Sequence, residues 1–230
     1  MRIADNVEML EIYGMERMIY PTLTWDEERL ILMDTGFPGQ TDIIIQAIAA
    51  AGFSAENLTH IIITHQDMDH IGCVADLLKI APSARVMAHE DEAPYIDGRK
   101  PPVKLAAMLD NYDKLTNDRK ALCDMMKEDS DSRRISISQT LSNGDILPVC
   151  GRIEVIHTPG HTPGHICLFL WESRILVSGD AINIIDGKPA GPNPRNTLDM
   201  ELGLKSMKKA MKYPVKAIVA YHGGYLPILR

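Results

Sequence analysis

The chain has 230 residues, 45% of them hydrophobic and 24% charged, which is ample material for a globular core. Its 24 Lys and Arg against 31 Asp and Glu leave a net charge of -7. That balance argues against nucleic acid or an anionic membrane surface as a partner, because both require a positive field.

Four scattered cysteines, with no Cys-x-x-Cys pair, read as thiols of a reducing compartment. The N-terminus lacks an apolar segment with a cleavage site, and no apolar run approaches the roughly 20 residues of a membrane span. A cytoplasmic protein is expected.

In chain order, VEMLEIYG and RMIYPTLTW read as strands, and DEER turns the chain into LILMDTG. TDIIIQAIAAAG predicts a helix capped by Thr41 or Asp42 and closed by Gly52. LTHIIITH is a short β-branched run, the pattern of a buried strand. IGCVADLLKIAP predicts a helix ended by Pro82, and ARVMAH another strand. From about 98 to 132 the composition changes. Leu105, Met108, Leu109, Tyr112 and Leu115, then Leu122, Met125 and Met126, fall at helical spacing and predict a helical insertion. Its apolar stripe reads as core, or else as a lid over the site or a dimer contact. ISQTLSNGDILPV predicts a hairpin on Asn143-Gly144. The strands RIEVIHTPG, HICLFLWESRILVSGD and VKAIVAYHGG follow, with a helix at LDMELGLKSMKKAMKY. Mixed strands and helices, with hairpins in both halves, point to two packed sheets with helices outside, one α+β domain over residues 1–230.

Side chains able to bind metal gather where strands end. Asp34 closes a strand in MDTG. His65, Asp67, Asp69 and His70 follow HIIIT, His161 lies in TPGHTPGH, Asp180 closes ILVSGD, and His222 closes AIVAY. A strand end followed by a Gly or Pro turn exposes a side chain at the rim of a sheet while the strand fixes its position. Imidazole and carboxylate are ligands for zinc, iron and manganese.

The ordered set DTG, THQDMDHIG, TPGHTPGH, SGD and YHGG resembles the metallo-β-lactamase superfamily, especially its glyoxalase II and lactonase branches, over about residues 7 to 223. The resemblance implies a four-layer αββα sandwich with a metal site at one edge. Carried over motif by motif, His65, Asp67 and His161 would hold a first metal ion. Asp69, His70 and His222 would hold a second, and Asp180 would bridge them. Asp34 would steady the ligands by hydrogen bonds. His165 reads as a strand residue or a support, and His157 and His60 as structural or surface residues. The cofactor implied is two divalent ions, zinc first, with iron or manganese as alternatives.

Most hydrolases of that family carry His where this chain has Asp67. Two divalent ions, balanced by three carboxylates and a bridging hydroxide, give a neutral centre, whereas His at 67 would leave it one unit positive. Asp67 should therefore raise the pKa of the bridging water and favour harder metals. It also resembles the diiron oxygen-reducing branch, which has Glu there. Two functions follow: hydrolysis of a small ester, lactone or thioester, with Asp69 passing a proton to the leaving group and Asp180 bridging the metals, or a non-hydrolytic diiron redox role.

A small-molecule substrate is expected, and a homodimer is one expected assembly. A glutathione thioester is disfavoured because the chain ends soon after His222. Acyl-homoserine lactonases commonly have Tyr three residues after the bridging Asp, where this chain has Asn183. Asn183, His89 and Tyr221 are the candidate substrate contacts.

Overall fold

The computed structural model describes residues 1–14, 16–132 and 135–228. One sheet has seven strands, ordered Arg2–Ala4, Val7–Met9, Thr22–Trp25, Leu30–Met33, His60–Ile63, Arg85–His89, Gln139–Leu141. The other has six, ordered Ile146–Leu147, Ile153–His157, Ile166–Leu170, Ile175–Val177, Ala217–Ala220, Gly224–Pro227.

Strand alternation assigns the buried strand side chains to layers. Ile31, Met33, Ile62 and Met87 point inward from the first sheet. Ile153, Val155, Ile166, Leu168, Val177 and Val219 meet them from the second, making the core between the sheets. The intervening residues Leu30, Leu32, Ile61, Ile63 and Val86 face outward, under Ile44 and Ile48 of helix Thr41–Ala50 and Val74 and Leu77 of helix Val74–Ile80. On the other side Phe169, Leu176 and Ile218 lie under Met207 and Ala210 of helix Met200–Ala210. The result is an αββα sandwich. No helix among the described residues is long and apolar enough to cross a membrane, and all four cysteines are buried outside any disulfide.

Two local expectations need correction, and the expected helical insertion is present in more than one piece. The helix at Thr41 starts without a side-chain cap, with Gln40 at the capping position; the Gln40 side chain instead accepts from Phe37 N. Asn143-Gly144 does not make a hairpin. Gln139–Leu141 pairs in parallel with Arg85–His89 in one sheet, while Ile146–Leu147 pairs with Ile153–His157 in the other. The turn is the crossover between sheets, and Gly144 supplies its positive φ of 86°. The insertion is two helices, Val103–Leu109 and Asn117–Ser132, joined through a 3-10 turn. Its small core holds Leu105, Met108 and Cys123 with Tyr112, Leu115 and Met126, whereas Leu109, Leu122 and Met125 are exposed.

Candidate metal centre

The parallel pairs Leu30–Met33/His60–Ile63 and Ile175–Val177/Ala217–Ala220 finish on one rim of the sandwich. Asp34, His65, Asp180 and His222 each follow one of these four strands. Ligand sites at the carboxyl ends of parallel strands are the general expectation. Short helix Met68–Ile71 adds Asp69 and His70, and the loop between Ile153–His157 and Ile166–Leu170 adds His161.

All seven residues predicted as ligands come together. His65, Asp67, His161 and Asp180 form one group, and Asp69, His70 and His222 another; within each, one donor atom per residue lies within 4.8 Å of the others. Asp67 Oδ2 is 3.3 Å from His65 Nε2 and 3.0 Å from His161 Nε2. Asp69 Oδ2 is 3.1 Å from His222 Nε2. Asp180 faces both groups, with Oδ2 3.4 Å from His161 Nε2 and Oδ1 3.4 Å from the Nε2 atoms of His70 and His222.

The second ring nitrogens of His65, His161 and His70 are tied back into the fold, whereas His222 Nδ1 is buried without a hydrogen-bond partner among the described residues. His65 Nδ1 lies 3.0 Å from Thr64 Oγ1, His161 Nδ1 3.3 Å from Thr197 Oγ1, and His70 Nδ1 2.8 Å from Asp34 Oδ2. Asp34 also accepts from Thr64 N at 2.9 Å and Thr64 Oγ1 at 2.8 Å. Such contacts fix ring orientation and leave Nε2 aimed at the basin.

His165 sits behind the centre. Its Nε2 accepts from Asp180 N at 3.0 Å and its Nδ1 lies 2.8 Å from Thr158 Oγ1. Gly179 makes that approach possible: its φ is 49°, and a Cβ there would stand 2.7 Å from His165 Nε2.

Electrostatics push the groups apart. Burial would lift the Asp180 carboxyl, but His70 and His222 hold it well below the usual carboxylate range. Burial acts on Asp67 in the same sense, and His65, His161 and Lys104 outweigh it. Burial pulls His70 down, yet Asp34, Asp180 and Asp69 keep it well above its ordinary value. His222 is likewise lifted against burial to about 9 by Asp180 and Asp69. Burial and the neighbouring His70 take His65 down to about 4. The carboxylates thus form a negative basin that demands cationic charge.

Among the described residues, His65 Nε2, His70 Nε2 and Asp180 Oδ1 are buried without a hydrogen-bond partner. Each such group costs about 1–3 kcal/mol unless something takes its lone pair. Imidazole and carboxylate donors converging on one basin suit a metal ion, and this donor set fits.

The three candidate substrate contacts fare differently. Asn183 lines a polar cleft beside Asp180 and His222 and donates to Gly191 O at 3.2 Å. Tyr221 is buried; its hydroxyl donates to Asp69 O at 2.6 Å and accepts from Gly36 N at 3.1 Å, while its ring lies 3.8 Å from His70. Its hydroxyl therefore holds the loops and is not presented to a substrate. His89 is also buried, away from both groups, and stacks on His157 at 4.1 Å. These last two expectations are corrected: a strand-end position does not by itself point a side chain at the basin.

Two residues matter that the motifs did not mark. Glu92 is fully buried and accepts from Gln66 N at 2.9 Å, Gln66 Nε2 at 2.8 Å and Gly164 N at 2.8 Å, joining the two loops that carry His65 and His161. Lys104, from the insertion, reaches Asp67 Oδ2 and lies 3.2 Å from His161 Nε2. Glu92 sits in the acidic run HEDE, which reads as surface, and Lys104 is 37 positions from Asp67 in a helical segment with many lysines.

The family model of the metallo-beta-lactamase superfamily matches residues 15–222, and the chain belongs to that superfamily, whose members are mostly metal-dependent hydrolases. It is 28% identical over 209 residues to Probable metallo-hydrolase YflN of Bacillus subtilis (strain 168), covering 84% of this chain and 75% of the relative. It is 25% identical over 228 residues to Hydroxyacylglutathione hydrolase GloC of Haemophilus influenzae, covering 97% and 93%. Among solved structures, the metallo-beta-lactamase family protein TTHA1429 of Thermus thermophilus superposes with a TM-score of 0.74 at 22% identity, over 98% of this chain and 76% of that one.

Proposed function

We propose that the chain is a dinuclear metal-dependent hydrolase of a small ester, lactone or thioester. His65, Asp67 and His161 would hold one divalent ion, Asp69, His70 and His222 another, and Asp180 would lie between them. The observation carrying this reading is Asp180, whose two carboxylate oxygens face the two donor groups separately. Zinc is the first candidate, with manganese or iron next. Bound there, such ions supply a water of lowered pKa and a Lewis acid for the substrate carbonyl.

The residues of the chain do the rest. Thr64, Asp34 and Thr197 orient the imidazoles. Asp69, a carboxylate 3.1 Å from His222 Nε2 and 3.8 Å from Arg17, would take a proton from the attacking water and pass it to the leaving group. Two clefts flank the centre. One is a small recess of about 40 Å³ beside Asp67, lined by Met68, Ile71, Ile96 and Met126 together with Lys104, Asp129 and Ser130. The other presents Arg17, Asn183, Asn193 and Asn196 beside Asp180, and suits a polar leaving group.

A glutathione thioester, disfavoured on length, belongs among the candidates again, since GloC is matched over 93% of its own length. The test is a panel of lactones, esters and thioesters, that one included, assayed before and after chelation and after return of zinc, manganese or iron. Hydrolysis lost with the metal and restored by it is expected. No hydrolysis with any metal, together with oxygen consumption by an iron-loaded chain, would replace this reading with the redox one.

A further inference from the structure

Lys104 distinguishes the two donor groups. It stands in the first turn of helix Val103–Leu109, and that turn is pinned to the centre: Val103 N donates to Gln66 Oε1 at 2.7 Å, and Gln66 lies between His65 and Asp67. Gln66 is itself held by buried Glu92. The Lys104 side chain is 25% exposed, and its ammonium touches Asp67 Oδ2 and stands 3.2 Å from His161 Nε2. It therefore stands against two of the four side chains of the first group. Among the described residues, the Lys or Arg paired with the second group is Arg17, 3.8 Å from Asp69 Oδ2 on a side chain 49% exposed.

A carboxylate oxygen has lone pairs enough to meet an ammonium and a metal together. The Nε2 of a neutral imidazole has one, and it cannot serve both. The positive charges also repel one another, in a pocket where water screens them only partly. We propose that Lys104 is a tethered cation that competes with metal for the His65–Asp67–His161 site. The chain then takes one divalent ion tightly at Asp69, His70, His222 and Asp180, and a second weakly, only as Lys104 withdraws. This rests on the metal-centre reading above and adds an order of filling to it.

The test is zinc titration of the full chain, stripped by chelator and dialysed, against a competing chromophoric chelator. The wild type should show two unequal classes of site. Lys104→Met should tighten the weaker class by about tenfold or more, the scale of one charge contact near a surface, and leave the tight class in place. Lys104→Gln should do the same, which guards against a packing artefact of one variant, and Lys104→Arg should keep the split. Two equal sites in the wild type, or a weak class unmoved in both Met and Gln variants, would overturn the proposal while leaving the metal centre intact. A chain that binds no zinc at all would overturn both.

Discussion

Asp34 carries more of the centre than its place outside the ligand set suggests. It holds a left-handed φ of 60°, a conformation that costs a non-glycine residue on the order of 1 kcal/mol. The return is a carboxylate that accepts from Thr64 twice and faces His70 Nδ1. Asp34→Asn should fold normally, since Asn tolerates this conformation, but its amide offers His70 a poorer partner. Metal affinity should fall about 10–100-fold, read by titration of the variant beside the wild type. An affinity unchanged within about twofold would mean that Asp34 only shapes the turn. At this scale the sequence was most readable where a polar residue follows a strand, with a Gly turn just beyond it at Asp34 and His222, and without one at His65 and Asp180. It was silent on Glu92 and Lys104, whose roles depend on contacts 26 and 37 positions away in the chain. Neither spacing nor periodicity encodes such contacts.

The elements are joined by polar clamps as well as by the core. At the end of helix Met200–Ala210, Tyr213 donates to Glu154 Oε1 at 2.7 Å, and Trp171 donates to Glu154 Oε2 at 2.8 Å, tying the helix to the second sheet. Burial and the bond to Glu154 push the Tyr213 hydroxyl up to about 12. Because its folded pKa lies above the unfolded value of about 10, this contribution is complete below pH 10 and is lost as pH rises through about 12. Tyr213→Phe should cost about 1–2 kcal/mol in urea unfolding at neutral pH. The gap from wild type should stay level to about pH 10 and close above it. A gap that keeps the same size above pH 10 would assign the loss to packing instead. Element existence was readable because alternation of period two separates Leu32 from Met33 and Phe169 from Leu168. Strand partners were not. Asn143-Gly144 signals a turn, but no local rule says whether its flanks pair with each other or leave for different sheets. The insertion was seen as helical, yet which of Leu122 and Cys123 turns inward depends on the opposing helix Val103–Leu109.

Across the whole molecule, the sandwich brings to one rim side chains spread from Asp34 to His222, and the two sheets are stitched there by backbone contacts such as Ile166 N to Thr64 O at 3.1 Å. A rim built this way fixes the donors before any ion arrives, which is what a metal site needs to select geometry. The most direct measurement is the metal content of the chain purified without added metal, by elemental analysis, beside Asp180→Asn. The wild type should carry at least about one equivalent of a divalent metal, and the variant should lose most of it, because Asp180 serves both donor groups. A wild type without stoichiometric metal, or an Asp180→Asn chain that holds as much as the wild type, would contradict the assignment of this rim as a metal centre.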